Sequence, residues 1–121
     1  MSYVPDKERV REGTEYLTNI LCHTQGYIFY QKSLTALKEQ QELYRHFKEF
    51  CKRRLVIEVK RETEDFLGEM RNLYQEYEEM LSNPLVADFL SAEQEMCILM
   101  RMVYDNIEKN IKMDVSYMDE M

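Results

Sequence analysis

The sequence has little punctuation. Its 121 residues include 3 glycines and 2 prolines. These residues mark most tight turns, so their scarcity excludes an architecture of many short strands and favours long helices. There is no tryptophan. No apolar run approaches the roughly 18 residues of a membrane span. The opening Met1-Ser2-Tyr3-Val4-Pro5-Asp6 has neither the basic start nor the apolar core of a secretory signal. The three cysteines, Cys22, Cys51 and Cys97, are far apart and odd in number. That pattern reads as free thiols in a reducing compartment rather than a disulfide framework, and a cytoplasmic location is expected.

Motifs for chemistry are also missing. A carboxylate-bridged di-iron bundle needs Glu-x-x-His on facing helices, but three residues before His23 and His46 stand Ile20 and Leu43. No Cys-x-x-Cys or histidine pair suggests zinc. Cys22 and His23 are adjacent, so on a helix they point about 100° apart. Three scattered glycines make no phosphate loop, and no serine or cysteine sits in a nucleophile turn. No catalytic residue, metal site or cofactor is assigned, and an enzyme is not expected.

What is present describes a globular chain: 45% hydrophobic and 32% charged residues. The length suits a single domain over 1–121 that buries roughly two-thirds of its unfolded surface. The net charge of −7 argues mildly against general nucleic-acid binding. Its distribution is uneven. Residues 1–44 carry 6 acids and 5 bases, residues 45–61 carry 2 acids and 7 bases, and residues 62–121 carry 15 acids and 4 bases. The nets are −1, +5 and −11, an asymmetry that suits an oriented interaction surface.

Four helical segments are predicted. Pro5 fits a first helical turn, with Asp6 and Glu8 favoured at the positive end of the dipole. Val10, Leu17, Ile20 and Leu21 then continue to about Thr24, where Gly26 suits a terminator. A second helix runs from about Tyr27 through Tyr30, Leu34 and Leu37 toward Gln40; whether a turn follows within Lys38–Glu42 is open.

The third segment, about Glu42 to Leu81, carries two apolar stripes. Leu43, Phe47, Phe50 and Ile57 keep one register, and Val59, Phe66, Met70, Leu73, Tyr77 and Met80 keep another. The slip falls at Leu55–Val59, where a stutter, a kink or a short break between helices would each explain it. A lone strand there has no partner and is rejected. Ser82-Asn83-Pro84 is the clearest boundary: Asn83 is a good N-cap and Pro84 a good first helical residue. Val86, Phe89, Leu90, Met96, Met100, Val103, Tyr104, Ile107 and Ile111 then trace a helix face to about Lys112, with 114–121 a frayed end. The expected fold is all-α, an antiparallel bundle of about four helices with the last two long. Apolar stripe left over points to a homodimer.

Arg45, Lys48, Lys52, Arg53, Arg54, Lys60 and Arg61 are the candidate partner-binding residues. The plainer reading is a solvated face relieving an acidic protein. The functional one is a contact for an acidic protein surface, with Leu55 and Val56 beside it, or for an RNA backbone. The cysteines read first as small packing residues, and a redox or iron–sulfur role is the alternative. His46 reads as a partly exposed surface residue. Nine methionines and nine tyrosines describe a loose helical core or an adaptable surface. Of the potential base-stacking rings Tyr27, Phe29 and Tyr30, two fall on the core stripe.

The stretch Asn83-Pro84-Leu85-Val86-Ala87-Asp88-Phe89-Leu90-Ser91-Ala92-Glu93-Gln94-Glu95, followed by an apolar helix through Ile107 and Ile111, resembles the YlbF/YmcA family of bacterial regulators. Asn83, Pro84, Val86, Phe89, Ala92 and Glu93 carry the match, and Tyr27, Tyr30 and Leu37 resemble the family's second helix. The resemblance implies a helical bundle, often dimeric, without enzymatic activity. It implies an adapter that associates with sister proteins and with ribonuclease Y, affecting messenger RNA processing, competence, sporulation and biofilm formation. Some members hold an iron–sulfur cluster through cysteines toward the C-terminus; this chain has none after Lys112.

Overall fold

A computed structural model describes residues 3–120, with side chains placed over 5–118. Six α-helices follow one another: α1 Tyr3–Cys22, α2 Gln25–Glu39, α3 Gln41–Glu58, α4 Phe66–Glu76, α5 Glu78–Leu81 and α6 Pro84–Asn110. A 3-10 turn over Ser116–Glu120 comes last. No strand occurs among the described residues, so the fold is the expected all-helical one.

The helix boundaries follow local chemistry. Thr24, in extended backbone (φ −73°, ψ 151°), accepts a hydrogen bond from the Tyr27 N–H and starts α2. Gly26 therefore lies inside α2 and terminates nothing, which corrects its reading as a stop. No positive φ occurs at any described residue. The Lys38–Glu42 stretch does turn, at Gln40, whose N–H reaches back to the Leu37 carbonyl. Asn83 caps α6 as its sequence requires, its Oδ1 accepting from the Leu85 N–H at 2.9 Å, with Pro84 in the first turn. Removing that cap in Asn83→Ala is expected to lower stability by about 1 kcal/mol, read as a reduced urea midpoint with an unchanged slope.

The third segment is two main helices rather than one. The β-branched run stays helical as far as Glu58, and the chain leaves the helix at Val59–Asp65. There, tighter bonds close the turn: Lys60 N–H to Ile57, Arg61 N–H to Glu58, and Thr63 N–H with its hydroxyl to Lys60. The break resolves the clash of registers. Once the chain reverses, α4 returns antiparallel along α3, so that Phe50 meets Tyr74 and Tyr77 and Arg53 meets Glu76. Both apolar stripes then face one core. Val59 is the exception: assigned to the second stripe, it sits in the turn 75% exposed.

That core is Leu37, Phe47, Phe50, Leu73, Tyr77, Met80, Val86 and Phe89. Helices α2 and α6 form its most extensive contact and run antiparallel, since Tyr30 packs on Phe89 while Gly26 lies beside Met96 four residues back along α2. Phe47 meets Phe89 edge-on at 5.7 Å between centroids, which seats α3 on the same end of α6. Everything buried on α6 lies in its first ten residues: Val86, Phe89 and Ala92.

A candidate protein-interaction surface

At 27 residues, α6 is about 40 Å long. Because α2 begins at Gln25, level with Met96, the portion of α6 after Met96 runs about 20 Å past the start of α2. The apolar face continues without interruption along this outer portion. Met100 and Val103 are half-buried, while Tyr104 and Ile107 are exposed. Ile111, just past the helix end, is 61% exposed. These positions recur at three and four residues, so they line one side. The apolar face traced along α6 is thus a core face over its first half only.

Helix α1 presents a second such face. Residues 5–16 are exposed throughout, Leu17 and Leu21 are half-buried and Ile20 is 49% exposed. It packs on α2 around the turn that joins them. Long amphipathic helices are stabilised by burying their apolar stripe. Two helices here leave that stripe largely in water, and an exposed apolar face of this kind marks an interaction surface.

The basic segment is less naked than its sequence suggests. Arg45 is tied to Glu42 at 2.9 Å and Glu49 at 2.6 Å on its own helix, and Arg54 to Glu58 at 3.6 Å while lying over the Phe50 ring. Arg53 donates to Glu76 and to the Tyr77 hydroxyl across the α3–α4 hairpin. The hydrogen bond from Arg53 holds the Glu76 carboxyl below the usual carboxylate range. Lys48 stands over the Tyr44 ring at 4.7 Å. Lys52, Lys60 and Arg61 make no ion pair among the described residues. Three of the seven candidates are therefore neutralised within the fold, which supports the plainer reading for them and weakens a phosphate-tracking one. The spacing of Glu42, Arg45 and Glu49 signalled this pairing; Arg53 with Glu76 gave no such signal, being 23 residues apart.

The cysteines fall on different elements. Cys22 and Cys97 are exposed, and Cys51 is half-buried against the core. No group of three metal-ligating side chains forms among the described residues. Burial pushes the Cys51 thiol up, leaving less thiolate at a given pH. Alkylation near neutral pH is accordingly expected to label Cys22 and Cys97 first and Cys51 last, by intact mass. Early labelling of Cys51 would contradict its packing. His46, exposed as expected, lays its ring against Tyr77 at 4.9 Å. Tyr27 stacks on Tyr30, which packs on Phe89, so two of the three candidate stacking rings serve packing.

Within the motif, Val86, Phe89 and Ala92 are buried, Asn83 caps and Pro84 opens the helix, while Glu93 is half-buried. The family model described as "Control of competence regulator ComK, YlbF/YmcA" matches residues 10–112. The chain belongs to the YlbF/YmcA family. The match spans both unpartnered faces and the motif, and the description gives this YlbF/YmcA protein a regulatory role rather than a reaction. Comparison with curated proteins and with solved structures gave no match. No helix among the described residues is long and apolar enough to cross a membrane.

Proposed function

We propose that this protein is a non-catalytic regulatory adapter that works by protein–protein contact, with a homodimer as its basic unit. The observation that supports it most is the uncovered apolar face of α6 beyond Met96, with the matching face of α1. A second copy satisfies both at once: a two-fold contact places each surface against its own equivalent or its complement, as most homo-oligomers do. Obligate interfaces of this kind are apolar and resemble a core cut in half.

The finer reading is that the pair binds sister proteins of the family and a ribonuclease, and so modulates messenger RNA processing and developmental regulation such as competence. The family resemblance motivates that partner set. Lys52, Lys60 and Arg61, without ion pairs among the described residues, suit an acidic protein surface better than an extended phosphate backbone. Affinity purification of the tagged chain from its own host at moderate salt tests the adapter. A ribonuclease or sister proteins recovered with it, identified by mass spectrometry, is the expected result. Recovery of the chain alone, at a salt concentration that preserves its self-association, would sink the adapter reading.

A further inference from the structure

The two uncovered faces match in length and differ in relief. Val10 to Leu21 on α1, and Met100 to Ile111 along α6 and its cap, each span about 16 Å. In the middle of the α1 stripe the side chains stop. Gly13 follows Val10 by three residues and precedes Leu17 by four, and a Cβ built there would meet nothing within 4 Å. It sits in ordinary helix without a positive φ, where glycine is less stable than alanine. Among the described residues nothing calls for glycine at this place. Thr14 beside it donates its hydroxyl to the Val10 carbonyl at 2.9 Å, so the notch presents no unmet donor. The outer α6 face has the reverse shape: Tyr104, its bulkiest member, stands 64% exposed between Met100 and Ile107.

Area points to a second copy as the occupant. The exposed parts of Val10, Ile20, Tyr104, Ile107 and Ile111 alone come to roughly 600 Å² of apolar surface per chain, against about 800 Å² that each partner gives a standard interface. Charge neither selects nor forbids that occupant, since residues 5–21 carry 4 acids and 3 bases and residues 97–111 carry 2 of each. A single foreign helix would cover one face and leave the other in water, whereas a two-fold axis covers both at once. Within one chain α1 and α6 share at most a marginal contact. We propose that α1 of each copy lies along the outer half of α6 of the other, with Tyr104 seated in the Gly13 notch between Val10 and Leu17. This contact rests on the homodimer proposed above and fixes which faces meet: unlike helices, twice, rather than α1 on α1 and α6 on α6. Close packing favours a bulky residue opposite a small one.

A double-mutant cycle on the dimer dissociation constant tests it with the full chain. Gly13→Leu fills the notch from an open position, so the protomer keeps its fold, read as a urea midpoint no lower than wild type in dilute protein. Tyr104→Ala removes the ring. Sedimentation equilibrium is run on wild type, both single variants and the double. Each single substitution is expected to raise Kd about tenfold or more, and the double no further than the weaker-binding single, because residues in contact couple while distant ones add. Increases that multiply, to about 100-fold in the double, would set the two positions apart and overturn the contact while the homodimer stands. A wild-type Kd in either single variant would do the same. A wild-type chain that is monomeric at every concentration would remove the homodimer itself, and the contact with it. Coupling found in the urea midpoint of the dilute protomer instead of in Kd would place the contact within one chain and overturn the exchange between copies.

Discussion

Phe50→Ala is expected to destabilise the protein by about 3–5 kcal/mol, the typical loss for a large aromatic removed from a core. Phe50 is fully buried. Its ring meets Tyr74 and Tyr77 edge-on at 5.3 and 5.4 Å between centroids, an arrangement worth about 0.5–1.5 kcal/mol per pair beyond area. It also joins α3 to α4, so the cavity would open between the two packed helices. Against a total stability of about 5–15 kcal/mol for such a domain, a large share of the folded state would be lost. Urea denaturation checks it beside Leu67→Ala, an exposed position on α4 expected to change stability by less than about 0.5 kcal/mol. Equal effects at the two sites would mean that the hairpin is not the centre of the core.

The second large effect concerns association. If α6 pairs with a second copy through its outer half, Ile107→Asp places a charge in the middle of an apolar seam. The dimer dissociation constant should rise by at least about 100-fold, equivalent to roughly 3 kcal/mol. Ile107 is 48% exposed in the single chain and lies outside the core cluster, so the stability of the separated protomer should move by less than about 0.5 kcal/mol. Analytical ultracentrifugation over a dilution series distinguishes the cases. A wild-type chain that is monomeric at every concentration would remove the dimer. A variant that dimerises as tightly as wild type would move the seam elsewhere.

Legibility in the sequence tracked how local the physics was. The Ser82-Asn83-Pro84 boundary was plain because one cap and one imino acid decide it without help from the rest of the fold. Gly26 misled for the converse reason: it resembles a stop, but Thr24 had already capped the next helix two residues earlier. The register slip in the third segment was visible, and a short break was among its explanations. Its position was displaced, because the β-branched run remains helical and the chain turns at Val59–Asp65 without glycine or proline to mark the place. The core was readable where a stripe is covered, as at Phe47, Phe50, Leu73, Val86 and Phe89. At Tyr104 and Ile107 the sequence showed only an apolar face, because periodicity records that a face is apolar and says nothing of what lies against it. The basic segment showed the same limit, since the count of seven cations held while Arg53 had a partner that only the α3–α4 reversal supplies.

The uneven anchoring of α6 has a kinetic and thermodynamic corollary. Its first turns are clamped by side chains from α2, α3 and α5, but its last dozen residues are held chiefly by their own backbone bonds. An isolated helical stretch of that length is marginal in water. Amide exchange should therefore run much faster from Met102 to Asn110 than around Phe89 when the protein is dilute, and should slow as concentration rises and ligand-linked protection sets in. The helix would then act as a gauge of occupancy, with its far half ordered in proportion to what is bound there.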